Sequence, residues 1–188
     1  MPCASQLLDA GGRALLHRRD AVVDPATRRI LARTPRLLAL AVDVLVTATG
    51  LAGQLVLTDL RTGATSRLEY PSRITGQGGF DEARVDPTGR FVALSFADPA
   101  YDLSSKQVMD AWLLDTATHS LRQLPDMPAA VSLKRTSMSW TADGRLVLLA
   151  EVEDRALIAI WRPGQERLAT RSLRLPERTG GSDAFVVR

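Results

Sequence analysis

The chain has 188 residues and a formal net charge of +3, with 45% hydrophobic and 24% charged residues. That length fits one domain with a substantial buried core, and the balance excludes disordered and collagen-like chains. The basic residues are 22 Arg and 2 Lys, dispersed against 21 acidic residues, and no aromatic run interleaves with them, which argues against a nucleic-acid partner.

In chain order, Met1-Pro2-Cys3-Ala4-Ser5-Gln6 lacks the basic region and apolar segment of a secretory signal. The chain as written is expected in the cytoplasm, with a longer exported or membrane-anchored parent left open. Cys3 is the sole cysteine, so neither an internal disulfide nor a multi-cysteine metal cluster is available. Asp9-Ala10-Gly11-Gly12-Arg13 followed by Ala14-Leu15-Leu16 reads as a tight corner leading into a strand. Val22-Val23-Asp24-Pro25-Ala26-Thr27 introduces a second kind of corner, in which apolar residues precede Asp and then Thr. Between Leu37 and Leu57 the chain is apolar enough to test as a membrane span. It contains Asp43, Gly50, Gly53 and Gln54, and an Asp near a helix centre costs about 2.5 to 3.5 kcal/mol for insertion. Two strands joined by a glycine turn are expected there, and no membrane span.

The Asp-Thr corner recurs as Leu57-Thr58-Asp59-Leu60-Arg61-Thr62 and as Leu113-Leu114-Asp115-Thr116-Ala117-Thr118. The glycine corner recurs as Asp86-Pro87-Thr88-Gly89-Arg90 and Thr141-Ala142-Asp143-Gly144-Arg145. The interval from Asp59 to Asp115 matches that from Gly89 to Gly144 to within a single position. Gly after Asp or Thr provides the positive φ of a tight turn, and Asp accepts hydrogen bonds from the backbone ahead of it. In the last unit the Asp-Thr position becomes Ile160-Trp161-Arg162-Pro163-Gly164. The runs Phe91 to Phe96, Val108 to Leu114, Leu146 to Val152 and Ala156 to Trp161 have the length and composition of strands. Asp183-Ala184-Phe185-Val186-Val187 is a further short strand candidate.

These runs are apolar at nearly every position, so both sheet faces are expected to be buried. Only Glu153-Asp154-Arg155 separates two of them, too few residues for a parallel crossover. Stacked antiparallel sheets remain, and a repeat of this length is the mark of a propeller or solenoid. The fold expected is all-β, a propeller-like array of about four antiparallel blades forming a single domain. The blades are placed at about residues 6–34, 36–70, 80–125 and 134–175.

Val85-Asp86-Pro87-Thr88-Gly89-Arg90-Phe91-Val92-Ala93-Leu94-Ser95-Phe96, then Asp110-Ala111-Trp112-Leu113-Leu114-Asp115, then Leu121-Arg122-Gln123-Leu124-Pro125 resemble the WD40-like repeat of TolB-type β-propellers. The resemblance implies a scaffold that usually serves binding and occasionally carries an active site. It transfers no functional residue. A ring closed at the spacing of the corner glycines needs a longer chain than this one, so a partial or fragmentary propeller is expected. A compact four-bladed ring, or an open array that closes by dimerisation, are the alternatives.

The chemistry-bearing residues are sparse. His17 and His119 have no metal-ligand spacing to other His, Cys or carboxylates, and no Gly-x-Ser-x-Gly elbow is present. Acidic groups such as Asp81 with Glu82, or Glu151, Glu153 and Asp154, read as solvated turns. Thr75-Gly76-Gln77-Gly78-Gly79 lacks the Lys and following helix of a phosphate loop. Trp112, Trp140 and Trp161 are expected to pack between blades. No cofactor and no metal is expected.

In a four-stranded meander the first and third turns share one end. The Gly and Asp-Thr corners occupy those turns, so the long connections Tyr70 to Asp81, Ala97 to Gln107 and Asp126 to Arg135 share the other. Loops on a rigid scaffold collect binding residues. Arg73, Tyr101, Asp102, Lys106, Lys134 and Arg135 are the contact candidates. The function expected is non-enzymatic recognition of a protein or other ligand through that face, with self-association through open blade edges as a further route to partners. The alternative is a lactonase-like propeller hydrolase with carboxylates around a central channel.

Overall fold

Short β-branched runs broken by Gly, Asp and Thr corners can pair only with their chain neighbours, and consecutive hairpins result. In the computed structural model of the chain, the residues described are 5–9, 11–34, 36–49, 53–71, 80, 82–98, 107–131, 136–152 and 155–174, and their regular structure is all β. The first sheet comprises β1 (Ser5–Leu8), β2 (Ala14–Arg18), β3 (Ala21–Val23) and β4 (Ile30–Arg33). The second comprises β5 (Arg36–Ala41), β6 (Val44–Ala48), β7 (Gln54–Asp59) and β8 (Thr65–Glu69). The third contains β9 (Glu82–Val85), β10 (Phe91–Asp98), β11 (Gln107–Asp115), β12 (Ser120–Gln123) and β13 (Ala129–Val131). The fourth contains β14 (Thr136–Trp140), β15 (Leu146–Val152), β16 (Arg155–Trp161) and β17 (Ala169–Arg174).

Every sheet is an antiparallel meander in chain order. The third gains a strand, because short β12 covers one half of the β11 edge and β13 pairs with the other, Gln107 opposite Val131. First strands of successive sheets meet, β1 on β5, β5 on β9 and β9 on β14, so they line a common axis with later strands further out. This is the blade arrangement of a β-propeller. The ring is open: among the described residues no contact of comparable extent joins β14 to β1. The chain is thus a partial propeller.

Side-chain alternation explains why the middle strands are apolar throughout. On β10, Val92, Leu94 and Phe96 enter a core with Val46, Ala48, Leu55 and Leu57 of the second sheet. Ala93, between them, enters a different core with Leu146, Leu148 and Trp161 of the fourth. On β11, Leu114 faces the second sheet and Leu113 the fourth. A third core joins Leu15 and Val22 of the first sheet to Leu40 and Leu45 of the second. Trp112 packs against the first of these cores and Trp140 and Trp161 belong to the second, as expected of residues between blades.

Two local features depart from the sequence expectations. The stretch Leu37 to Leu57 holds parts of three strands, not two, because the chain also reverses at Val42-Asp43, where Ala41 pairs with Val44. Val42 takes φ of 54°, a conformation a β-branched residue rarely adopts, so no glycine marks the turn. The corners also differ in length. The corner between Val85 and its partner Val92 is one residue longer than those between Trp140 and Leu146 and between Leu8 and Ala14. The interval from Val92 to the structurally equivalent Leu146 is therefore one residue shorter than that from Gly89 to Gly144. That difference keeps Val92 and Leu146 both facing the preceding sheet. The candidate strand at 183–187 and the Gly-rich stretch at 75–79 lie outside the described residues.

Candidate functional site

The two ends of the array are built differently. At the corner end, an aspartate closes the third turn of three sheets in the same way. Asp24 Oδ1 accepts the amides of Ala26 and Thr27, Asp59 Oδ1 those of Arg61 and Thr62, and Asp115 Oδ1 those of Ala117 and Thr118. In the fourth sheet Gln165 takes over, its Oε1 accepting the Arg162 amide and its carbonyl accepting Trp161 Nε1–H.

First and third turns are clamped together at this end. The arginine after the corner glycine reaches the third-turn aspartate, Arg13 to Asp24 at 3.5 Å and Arg90 to Asp115 at 2.9 Å. The Thr116 amide and hydroxyl both donate to the Arg90 carbonyl at 2.9 Å. In the fourth sheet Asp143 takes both Arg145, at 2.9 Å, and Arg162, at 2.8 Å. The second sheet uses backbone alone, the Leu60 amide donating to the Asp43 carbonyl at 2.8 Å.

These contacts set the electrostatics. Burial pushes the Asp24 and Asp115 carboxyls up, but turn amides and the paired arginine outweigh it and both lie below the usual carboxylate range. The Thr62 amide is the largest influence holding Asp59 down. Hydrogen bonds from Thr141 and Arg145 bring Asp143 to about 2. Groups held ionised in this way act as fixed acceptors, not as proton donors near neutral pH.

Two depressions open at the corner end. One, of about 250 Å³, lies on the axis between Leu7 and Asp9 of the first sheet unit, Leu38 and Ala39 of β5, and Ala83 to Val85 of β9. Its described lining contributes one carboxylate, Asp9, whose Oδ1 accepts the Arg13 amide. Arg84 there pairs with Glu82, and its carbonyl accepts Trp140 Nε1–H at 2.9 Å. The second, of about 360 Å³, is a groove between the third and fourth sheets, with Arg90, Asp115, Ser120 and Arg122 on one side and Pro163-Gly164 on the other. Arg122 lies over the Trp161 ring, 5.7 Å from its centroid, and Arg90 over Phe91 at 4.9 Å. Sequence reasoning missed this groove. Arg122 and Trp161 belong to different sheets and are far apart in the chain, and only the alternation of β12 and β16 offers a signal for their meeting.

Strand ends at 69, 82, 98, 107, 131 and 136 lie at the opposite end, fixed by the pairs Asp98 with Val108, Gln107 with Val131 and Thr136 with Ala150. Tyr70 and Phe80 close the base of one connection by an edge-to-face contact at 5.2 Å. All six candidates, Arg73, Tyr101, Asp102, Lys106, Lys134 and Arg135, fall in the connections and lie outside the described residues. The two histidines make ordinary hydrogen bonds. His17 Nε2 lies 2.9 Å from the Thr34 carbonyl oxygen, and exposed His119 Nδ1 lies 3.0 Å from Ser66 Oγ. Among the described residues no three His, Cys, Asp or Glu side chains are grouped as a metal site would require, and no helix is long and apolar enough to cross a membrane.

No family model and no curated protein sequence matches the chain. Its fold does match solved β-propellers. TolB from Acinetobacter baumannii superposes with a TM-score of 0.52 at 16% identity, covering 91% of this chain and 43% of that one. A luciferin-regenerating enzyme gives 0.56 at 9% identity, covering 91% and 60%. The complex of the fission yeast SREBP–SCAP binding domains gives 0.56 at 6% identity, covering 93% and 49%. The chain therefore spans between 43% and 60% of the length of these structures.

Proposed function

We propose that the chain is a non-enzymatic propeller module that recognises a protein partner through its long-connection end, with Arg73, Tyr101, Asp102, Lys106, Lys134 and Arg135 as contacts. The observation that carries this reading is the pairing of charge at the corner end. Corner-end charges are committed to one another, as in Arg13 with Asp24 and Asp43, Arg90 with Asp115, and Arg145 and Arg162 with Asp143. Such paired groups hold turns in place and have little left to offer a ligand, whereas connections raised on a rigid sheet end are where recognition residues collect. The alternative, a lactonase-like hydrolase, requires several carboxylates converging on the axis. The axial depression brings Asp9, already engaged by a backbone amide.

A photo-crosslinking amino acid at Tyr101, compared with one at Arg145, tests the reading in cells. A discrete adduct is expected from position 101 and not from 145, and Lys134→Glu with Arg135→Glu should reduce its yield while leaving thermal unfolding unchanged. Adducts from position 145 alone, or a yield indifferent to the charge reversal, contradict it.

A further inference from the structure

Each internal interface joins the following-side face of one sheet to the preceding-side face of the next. The two terminal sheets leave one face of each kind uncovered by any described sheet. On the fourth sheet, the residues alternating with Leu146 and Leu148 on β15 point away from the third. The cross-strand pairs Val147 with Ile160 and Leu149 with Ile158 lie on that outer face, all four partly buried, with Leu173 at 38% exposure beside them. On the first sheet, Leu15 and Val22 face the second. The opposite face carries the row Leu16, Val23 and Ile30, paired across three strands, with Ile30 52% exposed.

β-Branched and leucine side chains in adjacent cross-strand pairs are the same chemistry that fills the internal interfaces. An uncovered row of this kind marks an interaction surface. The two faces are also complementary in sense, one following and one preceding, so a second copy of this chain satisfies both at once. We propose that two chains associate head to tail about a common axis, the fourth sheet of each seated on the first sheet of the other. The product is a closed ring of eight sheets, within the usual range for propellers. The two contacts, fourth sheet on first and first on fourth, are exchanged by a two-fold rotation about the ring axis, so the pair is closed and symmetric.

The occupant decides the test. Light scattering and sedimentation across a concentration series should give twice the 20.4 kDa chain mass. Ile158→Arg alters only the fourth-sheet face and Leu16→Glu only the first-sheet face, so each alone should give monomer with an unchanged β spectrum. Mixing the two variants should restore dimer, because one interface is then wild type and the other sets Arg against Glu. If either variant fails to fold, Val147→Thr with Ile160→Thr, which retains β-branching at both positions, should raise the dimer dissociation constant at least about ten-fold. A wild-type monomer, meaning the chain's own segments cover these faces or nothing does, overturns the proposal, as do open-ended polymers. A mixture that stays monomeric excludes the head-to-tail arrangement.

Discussion

The Cγ2 atom of Val42 lies 2.3 Å from the point where a β-carbon on Gly89 would sit. The reversal between β5 and β6 therefore fills the space that the corner glycine of the third sheet leaves open. Both residues are in the left-handed region, with φ of 54° and 73°, and the strained valine is held by its contact across the interface.

Gly89→Ala should then cost more than its backbone conformation alone. Gly144 has φ of +76° and open space where a β-carbon would stand, so Gly144→Ala is expected to cost about 1 to 2 kcal/mol. Gly89→Ala should exceed that, and in a Val42→Gly background its cost should fall back to the Gly144 value. Urea unfolding of the four variants measures this; equal costs at both glycines in the wild-type background contradict it.

Corner length can vary where strand register cannot. Deleting Arg90 converts the longer corner of the third sheet to the shorter form of the fourth and leaves Val92 opposite Val85. It removes the Asp115 pair and the contact with Phe91, so a sharp transition with a lowered midpoint is expected. Deleting Ala93 instead keeps the corner and moves every later β10 side chain to the other face. Ser95 would then stand where Leu94 fills the core shared with the second sheet, and cooperative unfolding should be abolished. Two equally mild phenotypes by thermal denaturation would show that alternation along β10 does not hold the sheets together.

Acid should weaken the corners in a defined window. Asp143 titrates at about 2 against an ordinary 3.8, so it binds its proton more weakly folded than unfolded. Its stabilisation is present above the ordinary value and is lost as pH falls through that value towards the folded one. Asp143→Asn should be less stable than wild type near neutral pH, with the two converging as pH drops from about 4 to about 2. Unfolding midpoints at three pH values decide it; parallel curves through the window contradict the assignment.

Much of the fold was legible because its signals are local. An Asp whose Oδ1 accepts two amides just ahead of it leaves an Asp-Thr pattern, and a corner needing positive φ leaves a glycine, as at Gly89 and Gly144. The features that escaped depend on partners distant in the chain. Val42 turns without glycine because Gly89 receives it. The interval between the two corner glycines conceals a shorter one between core positions, since hydrogen bonding within each corner sets its length. Strand β13 exists because β12 is too short to cover β11. The groove with Arg122 over Trp161 needs two sheets to be in place, and no stretch of either strand announces it. The candidate contacts could be assigned to an end by meander geometry, but their roles depend on a partner's surface, which leaves no local pattern.

The central claim is that adjacent side chains on one strand lie in different cores because sheets cover both faces. Methyl nuclear Overhauser contacts on β10 test it most directly. Leu94 should show contacts with Val46 and Leu55 and none with the Trp161 ring, while Ala93 should show the reverse. Shared neighbours for Leu94 and Ala93, or an Ala93 methyl with no partner in the fourth sheet, would contradict the stacked arrangement.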